Sequence, residues 1–251
     1  MISDALHSTA VQIRHNVLLR LRDPAQIVSY VFLPMALMLV FEPLYRRALD
    51  GGTLQTVTGP LILFSVFALG VVGNAVLTER EWRTWDRLRA SRASRTSLLL
   101  GKAVPVFAVL LVQQTVLLVF GCAVVGLPVP RNLLLVALAV LLWGFAVLAA
   151  GTALATVVRS RGDLMLATDL GAILVGSLGG ALVPVDLMPG WLRNVAPASP
   201  GYWGLALMQD AVQGDLGGML VPALVVAGMG LALAVFATYR LSRGWGRSHL
   251  L

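Results

Sequence analysis

Asp169 is the residue of this chain whose setting most invites chemistry. It interrupts an apolar stretch, residues 164–185, about one and a half turns from its start. A carboxylate at the middle of a membrane helix is unfavourable by about 2.5–3.5 kcal/mol. Asp169 therefore marks either a residue hydrated at the interface or paired to Arg159 or Arg161, or a group lining a route or gate. Asn74, Gln113 and Gln114 are lesser polar candidates within apolar stretches. They suit interhelical hydrogen bonds and pathway groups equally. Gly176 and Gly180 form a Gly-x-x-x-Gly pair, with Gly171 before it. Such small residues let backbones approach closely, for packing within the unit or on a self-association or pore-lining face.

Enzymatic chemistry has little to stand on. The phosphate-binding pattern Gly-x-x-x-x-Gly-Lys-Ser/Thr is missing: Gly101-Lys102 is followed by Ala103, and the earlier glycine is absent. ATP binding by this chain is therefore not expected. There is no His-Glu-x-x-His and no Gly-x-Ser-x-Gly. Cys122 is the single cysteine, so an intrachain disulfide and a thiolate metal cluster are both excluded. His7, His15 and His249 lie near the two ends and read as solvated or interfacial. No catalytic residue and no metal site are expected.

The elements that must position these residues are membrane helices. Of 251 residues, 58% are hydrophobic and 12% charged, against about 25% charged in soluble domains. Six apolar segments stand out, at 27–45, 59–77, 103–127, 133–158, 164–185 and 219–241. Each runs near the 20 residues that a helix needs to cross a bilayer, and none alternates as barrel strands do. The fold expected is an all-α membrane protein with a six-span transmembrane domain over 27–241.

The net charge is +7, with Lys102 the sole lysine beside eighteen arginines. Fifteen of these cations fall at the N-terminus, the second and fourth connections and the C-terminus; four (Arg46, Arg47, Arg131 and Arg193) fall on the other side. The positive-inside rule places both termini in the cytoplasm, as an even span number requires. This pattern favours a membrane protein over a nucleic-acid binder, and no cleavable leader is expected.

Residues 1–26 read as an interfacial amphipathic helix. Leu6, Ala10, Ile13, Val17 and Leu21 share one face, while Arg14, Arg20 and Arg22 are placed for lipid phosphates. The helix serves as an anchor or as a rest for a cytoplasmic partner. The cytoplasmic segment 78–102 continues the second span as a helix. Trp82, Trp85 and Leu88 recur every three residues among Glu79, Arg80, Glu81, Asp86, Arg89 and Arg92. Tryptophan with arginine is a combination favoured in protein contacts, and a docking surface is preferred here to a headgroup belt. Segment 186–218 is punctuated by prolines, with short helices expected around 186–193 and 201–212. Trp191, Tyr202 and Trp203 suit the outer interface, as an external re-entrant hairpin would present them. Residues 242–251 form a basic cytoplasmic tail.

Together these residues resemble the type-2 ABC transporter permeases, membrane subunits of bacterial drug and natural-product exporters. Three regions carry the likeness: Arg20-Leu-Arg-Asp-Pro24; Glu79-Arg-Glu81 with Arg87-Leu-Arg-Ala90 and Ser97-Leu-Leu-Leu-Gly-Lys102; and Pro184 through Pro189, Trp191, Arg193, Pro197, Pro200 and Tyr202. The chain departs from the family pattern at Arg83-Thr84, often Gly-Thr, and at Arg92, often proline. The resemblance implies a coupling helix within 78–102 that docks on an ATPase subunit. It implies two separate ATPase subunits holding ATP and Mg, a second permease copy or a homologous permease, and a place in the bacterial cytoplasmic membrane. The aliphatic spans point to an amphiphilic or hydrophobic compound. The alternative is an ion-coupled secondary transporter using Asp169; a membrane assembly factor is a third reading.

Overall fold

A computed structural model describes residues 24–81 and 95–242, and among them every regular element is helical. The α-helices are α1 (Pro24–Ala48), α2 (Gly52–Phe67), α3 (Leu69–Glu81), α4 (Arg95–Phe120), α5 (Leu133–Val157), α6 (Arg161–Leu178), α7 (Gly190–Val195), α8 (Pro200–Gln213) and α9 (Leu216–Ser242). A π-helical turn, Gly121–Val125, ends α4, and 3-10 turns at Val185–Leu187 and Ala196–Ala198 flank α7.

Among the described residues, four stretches are long and apolar enough to cross a membrane: Gly52–Asn74, Ala103–Val125, Leu133–Val157 and Leu216–Leu241. The first and fifth of the six expected segments fall in α1 and α6. Each of these helices carries three charged residues, Glu42, Arg46 and Arg47 in α1 and Arg161, Asp163 and Asp169 in α6. Glu42 and Arg46 pair at 2.7 Å, one turn apart.

Two expected boundaries are corrected. The second segment begins at Gly52, seven residues before the expected start, and breaks at Ala68. The amide of Ala68 donates to Phe64 at 3.2 Å, and Val71 and Val72 donate to the Ala68 carbonyl, so the helix resumes at once. Residues 52–58 read as loop because Gln55, Thr56 and Thr58 are polar. The structure buries all three. Thr56 and Thr58 donate to the carbonyls of Gly52 and Leu54 at 2.8 and 2.7 Å, a back-bond that satisfies a hydroxyl inside a helix.

The fifth segment ends as a helix at Leu178, not at 185. Gly180 has φ +88°, a backbone region that glycine enters without steric cost. Gly176 and Gly180 are therefore not one helical face. Gly176 lies on α6 against Leu63, while Gly180 belongs to the turn that follows.

α2 sits at the centre. Val57, Leu61, Ile62 and Val66 join Leu110, Leu117, Trp143, Leu207 and Met208 in one buried cluster. In lipid this packing gains van der Waals contact rather than release from water, so close fit matters most. Glycines supply that fit. Val57 seats against Gly121, Val72 against Gly151, Leu164 against Gly73 and Trp143 against Gly204.

Helix ends are satisfied locally. Asn132 accepts from the amides of Leu134 and Leu135, and Ser160 and Asp163 form a reciprocal capping box at the start of α6.

Candidate transport site and its polar junction

Segment 186–218 divides into an exposed part and an inserted part. In the first, Leu187, Trp191 and Val195 are exposed, Trp191 at 71%. Pro189 caps the start of α7, and Arg193 donates to the Asp186 carbonyl at 2.5 Å. Pro197 accepts from the Trp203 indole at 2.8 Å, and the rings of Tyr202 and Trp203 meet edge to face at 5.1 Å.

The second part is α8. Pro200 occupies its first turn, and Ser199 caps it by accepting from Gly201. The Ser199 hydroxyl donates to the carbonyl of Val175 on α6 at 2.8 Å. Gly201 and Gly204 bring the α8 backbone against the Val175 carbonyl and the Trp143 ring, places where a Cβ would collide. Gly201, Gly204, Leu205, Leu207, Met208, Ala211 and Val212 are buried.

A polar junction holds α8 in place. Gln209 donates from Nε2 to Gln55 Oε1 at 2.9 Å and to Thr58 Oγ1 at 3.2 Å. Gln55 Nε2 donates to the Gly180 carbonyl at 2.7 Å and to that of Ala181 at 3.3 Å. About two turns along α2 from Thr58, Trp143 donates from its indole to Ser65 Oγ at 2.5 Å. Buried amides without such partners would each cost about 1–3 kcal/mol. None of Gln55, Gln209, Ser65 and Trp143 is legible in the sequence as a site. Their partners lie far along the chain, and no spacing rule joins them.

At the far end of α8 a second polar group is strained. Asp210 is half-buried; burial, and then the charge of Asp215, hold its carboxyl above the usual carboxylate value. Asp215 is engaged in accepting from the Gly218 amide at 3.0 Å.

The sequence-derived pathway residues separate. Gln113 is buried and donates to the Tyr30 carbonyl at 3.1 Å. Gln114 is fully buried, and neither of its side-chain polar atoms has a partner among the described residues. Asn74 is half-buried on α3. Asp169 is exposed at the middle of α6, with no ion pair among the described residues. The expected pairing to Arg159 or Arg161 is not made: Arg161 begins the helix, about 12 Å of rise below Asp169.

The backbone of Glu79, Arg80 and Glu81 forms the end of α3. Trp82, Trp85, Asp86, Leu88, Arg89 and Arg92 lie outside the described residues, as do Arg14, Arg20 and Arg22. At the end of α9, Arg240 donates to the Thr156 carbonyl in the last turn of α5 at 3.1 Å, which satisfies a helix C-terminal carbonyl with a cation.

Comparison with known proteins is consistent with these features. Two similar proteins are described as the probable multidrug ABC transporter permease YbhR, one from Escherichia coli strain K12 and one from Escherichia coli O157:H7. Each is 25% identical over 144 residues. The match covers 56% of this chain, and the chain spans 39% of the length of these curated relatives. The sequence profile of the ABC-2 type transporters matches residues 8–212. This apolar helical chain belongs to the ABC-2 type transporter family.

Proposed function

We propose that this chain is the permease subunit of an ATP-driven exporter in the bacterial cytoplasmic membrane. It crosses the membrane six times with both termini inside and moves an amphiphilic or hydrophobic compound outward. Two separate ATPase subunits hold ATP and Mg, and a second permease, identical or homologous, completes the pathway. The family match over residues 8–212 carries this reading.

Further support comes from local features. α3 and α4 bracket residues 82–94, and the sequence spacing of Trp82, Trp85 and Leu88 there suits contact with an ATPase subunit. The insertion of α8 between α2, α5 and α6, with Trp191 left exposed, fits an external hairpin that enters the outer leaflet. Buried Gln113 and Gln114 serve packing or a changed conformation, while Asp169 remains open to a pathway.

Reconstitution tests the proposal. In proteoliposomes holding the chain and its ATPase, movement of a lipophilic fluorescent compound should require ATP and cease without the ATPase. Transport driven by an ion gradient alone, and abolished by Asp169→Asn, would contradict it and establish the ion-coupled alternative.

A further inference from the structure

The depth of Asp169 is fixed by what its helix packs against. α6 runs along the apolar stretch Gly52–Asn74, with Leu164 against Gly73, Thr168 against Gly70 and Gly176 against Leu63. A Cβ placed on Gly70 would lie 3.4 Å from Thr168 Oγ1. Asp169, the next residue, is therefore level with a helix long and apolar enough to cross a membrane.

The stripe that makes this contact is Leu164, Thr168, Ala172 and Gly176, all buried. Asp169 lies off it, on a surface with Leu166, Leu170 and Ile173, and all four are exposed. The surface is thus apolar with a single anion set in it. Left against hydrocarbon, that anion would be strongly unfavourable.

Among the described residues no cation is paired with it. Among the described residues, the cations sit in connections, in a short helix or toward the ends of longer helices: Arg46 and Arg47 close α1, Arg80 lies in the last turn of α3, Arg95 begins α4 with Lys102 seven residues on, Arg131 and Arg159 precede α5 and α6, Arg161 begins α6, Arg193 lies in α7 and Arg240 closes α9. A second copy related by a two-fold axis along the membrane normal repeats each arginine at the same depth. It therefore brings none of them to the level of Asp169.

We propose that Asp169 receives the positive group of the transported compound, so that the cargo is a lipophilic cation. Leu166, Leu170 and Ile173 take its apolar body, and the carboxylate takes its charge. This assignment rests on the permease reading above and adds the substrate class to it.

The test uses the full chain in lipid nanodiscs together with its co-purified ATPase, and tetraphenylphosphonium as probe. Wild type should bind the probe saturably. Asp169→Asn should weaken binding about tenfold or more, and Asp169→Glu should retain it. Asp169 has no partner among the described residues, so Asp169→Asn should fold as wild type does. Uncharged triphenylphosphine oxide should bind wild type and Asp169→Asn alike. Equal tetraphenylphosphonium binding by wild type and Asp169→Asn, or no saturable binding by wild type while the ATPase remains bound and active, overturns the cation assignment alone. Absence of any ATPase from the preparation overturns the permease reading beneath it.

Discussion

Gln209 on α8 reaches Gln55 on α2 at 2.9 Å, across 154 positions of sequence, and Gln55 in turn holds the Gly180 carbonyl at 2.7 Å. One side chain thus binds α8 and the end of α6 to α2. Any outward opening that separates α8 from α2 must break this pair.

The junction predicts strong coupling between its members. Gln209→Ala leaves Gln55 Oε1 buried without its donor and should destabilise the fold by about 1–3 kcal/mol. Gln55→Leu with Gln209→Leu should cost less than the sum of the two single changes, because both orphaned groups are then gone. Denaturation in mild detergent measures this cycle, and strict additivity would show that the two residues do not interact.

The glycine seats predict a sharp dependence on position. A Cβ on Gly204 would lie 2.5 Å from the Trp143 ring, whereas one on Gly228 meets nothing within 4 Å. Gly204→Ala should lower the unfolding temperature markedly. Gly228→Ala should leave it unchanged or raise it, since alanine favours a helix by up to about 1 kcal/mol over glycine. Equal effects at the two sites would contradict the close packing of α8 on α5.

Much of the helical architecture was legible because lipid demands long apolar runs; four of the six expected segments overlap stretches that meet that demand. The errors lay where tertiary contact overrides composition. Gln55, Thr56 and Thr58 read as loop, yet each is buried in α2 with its hydrogen bonds satisfied. The end of α6 was invisible because its cause is remote. The chain turns at Gly179–Gly180 beneath α8, where a Cβ on Gly179 would lie 2.5 Å from the Tyr202 amide nitrogen. Asp169 stood out at once, since a charge in an apolar run is a local signal. Its freedom from Arg161 was not legible, since that depends on where α6 begins.

Asp210 predicts a pH dependence of stability. Its carboxyl is held above the usual value by burial first and by Asp215 second. The folded chain therefore holds this proton more tightly than the unfolded chain. The contribution to stability is complete below the unfolded Asp value of about 3.9 and is lost as pH rises through the raised folded value. Asp210→Asn should melt above wild type at neutral pH, with the difference closing as pH falls toward about 4. A difference that does not change with pH would contradict the account.

The docking role proposed for Trp82 and Trp85 predicts uncoupling. Trp82→Ala with Trp85→Ala should leave the chain folded and inserted while ATP hydrolysis by the partner no longer drives transport. Transport per ATP equal to wild type would remove these two residues from the docking surface.

The central claim is that a separate ATPase drives this permease, and purification from the native host tests it most directly. The tagged chain is extracted in mild detergent, alongside a known complex that survives it, and the bound proteins are identified by mass spectrometry. The account predicts a stoichiometric soluble protein carrying a Walker A sequence. Recovery of the chain without such a partner, while the control complex stays intact, would contradict it.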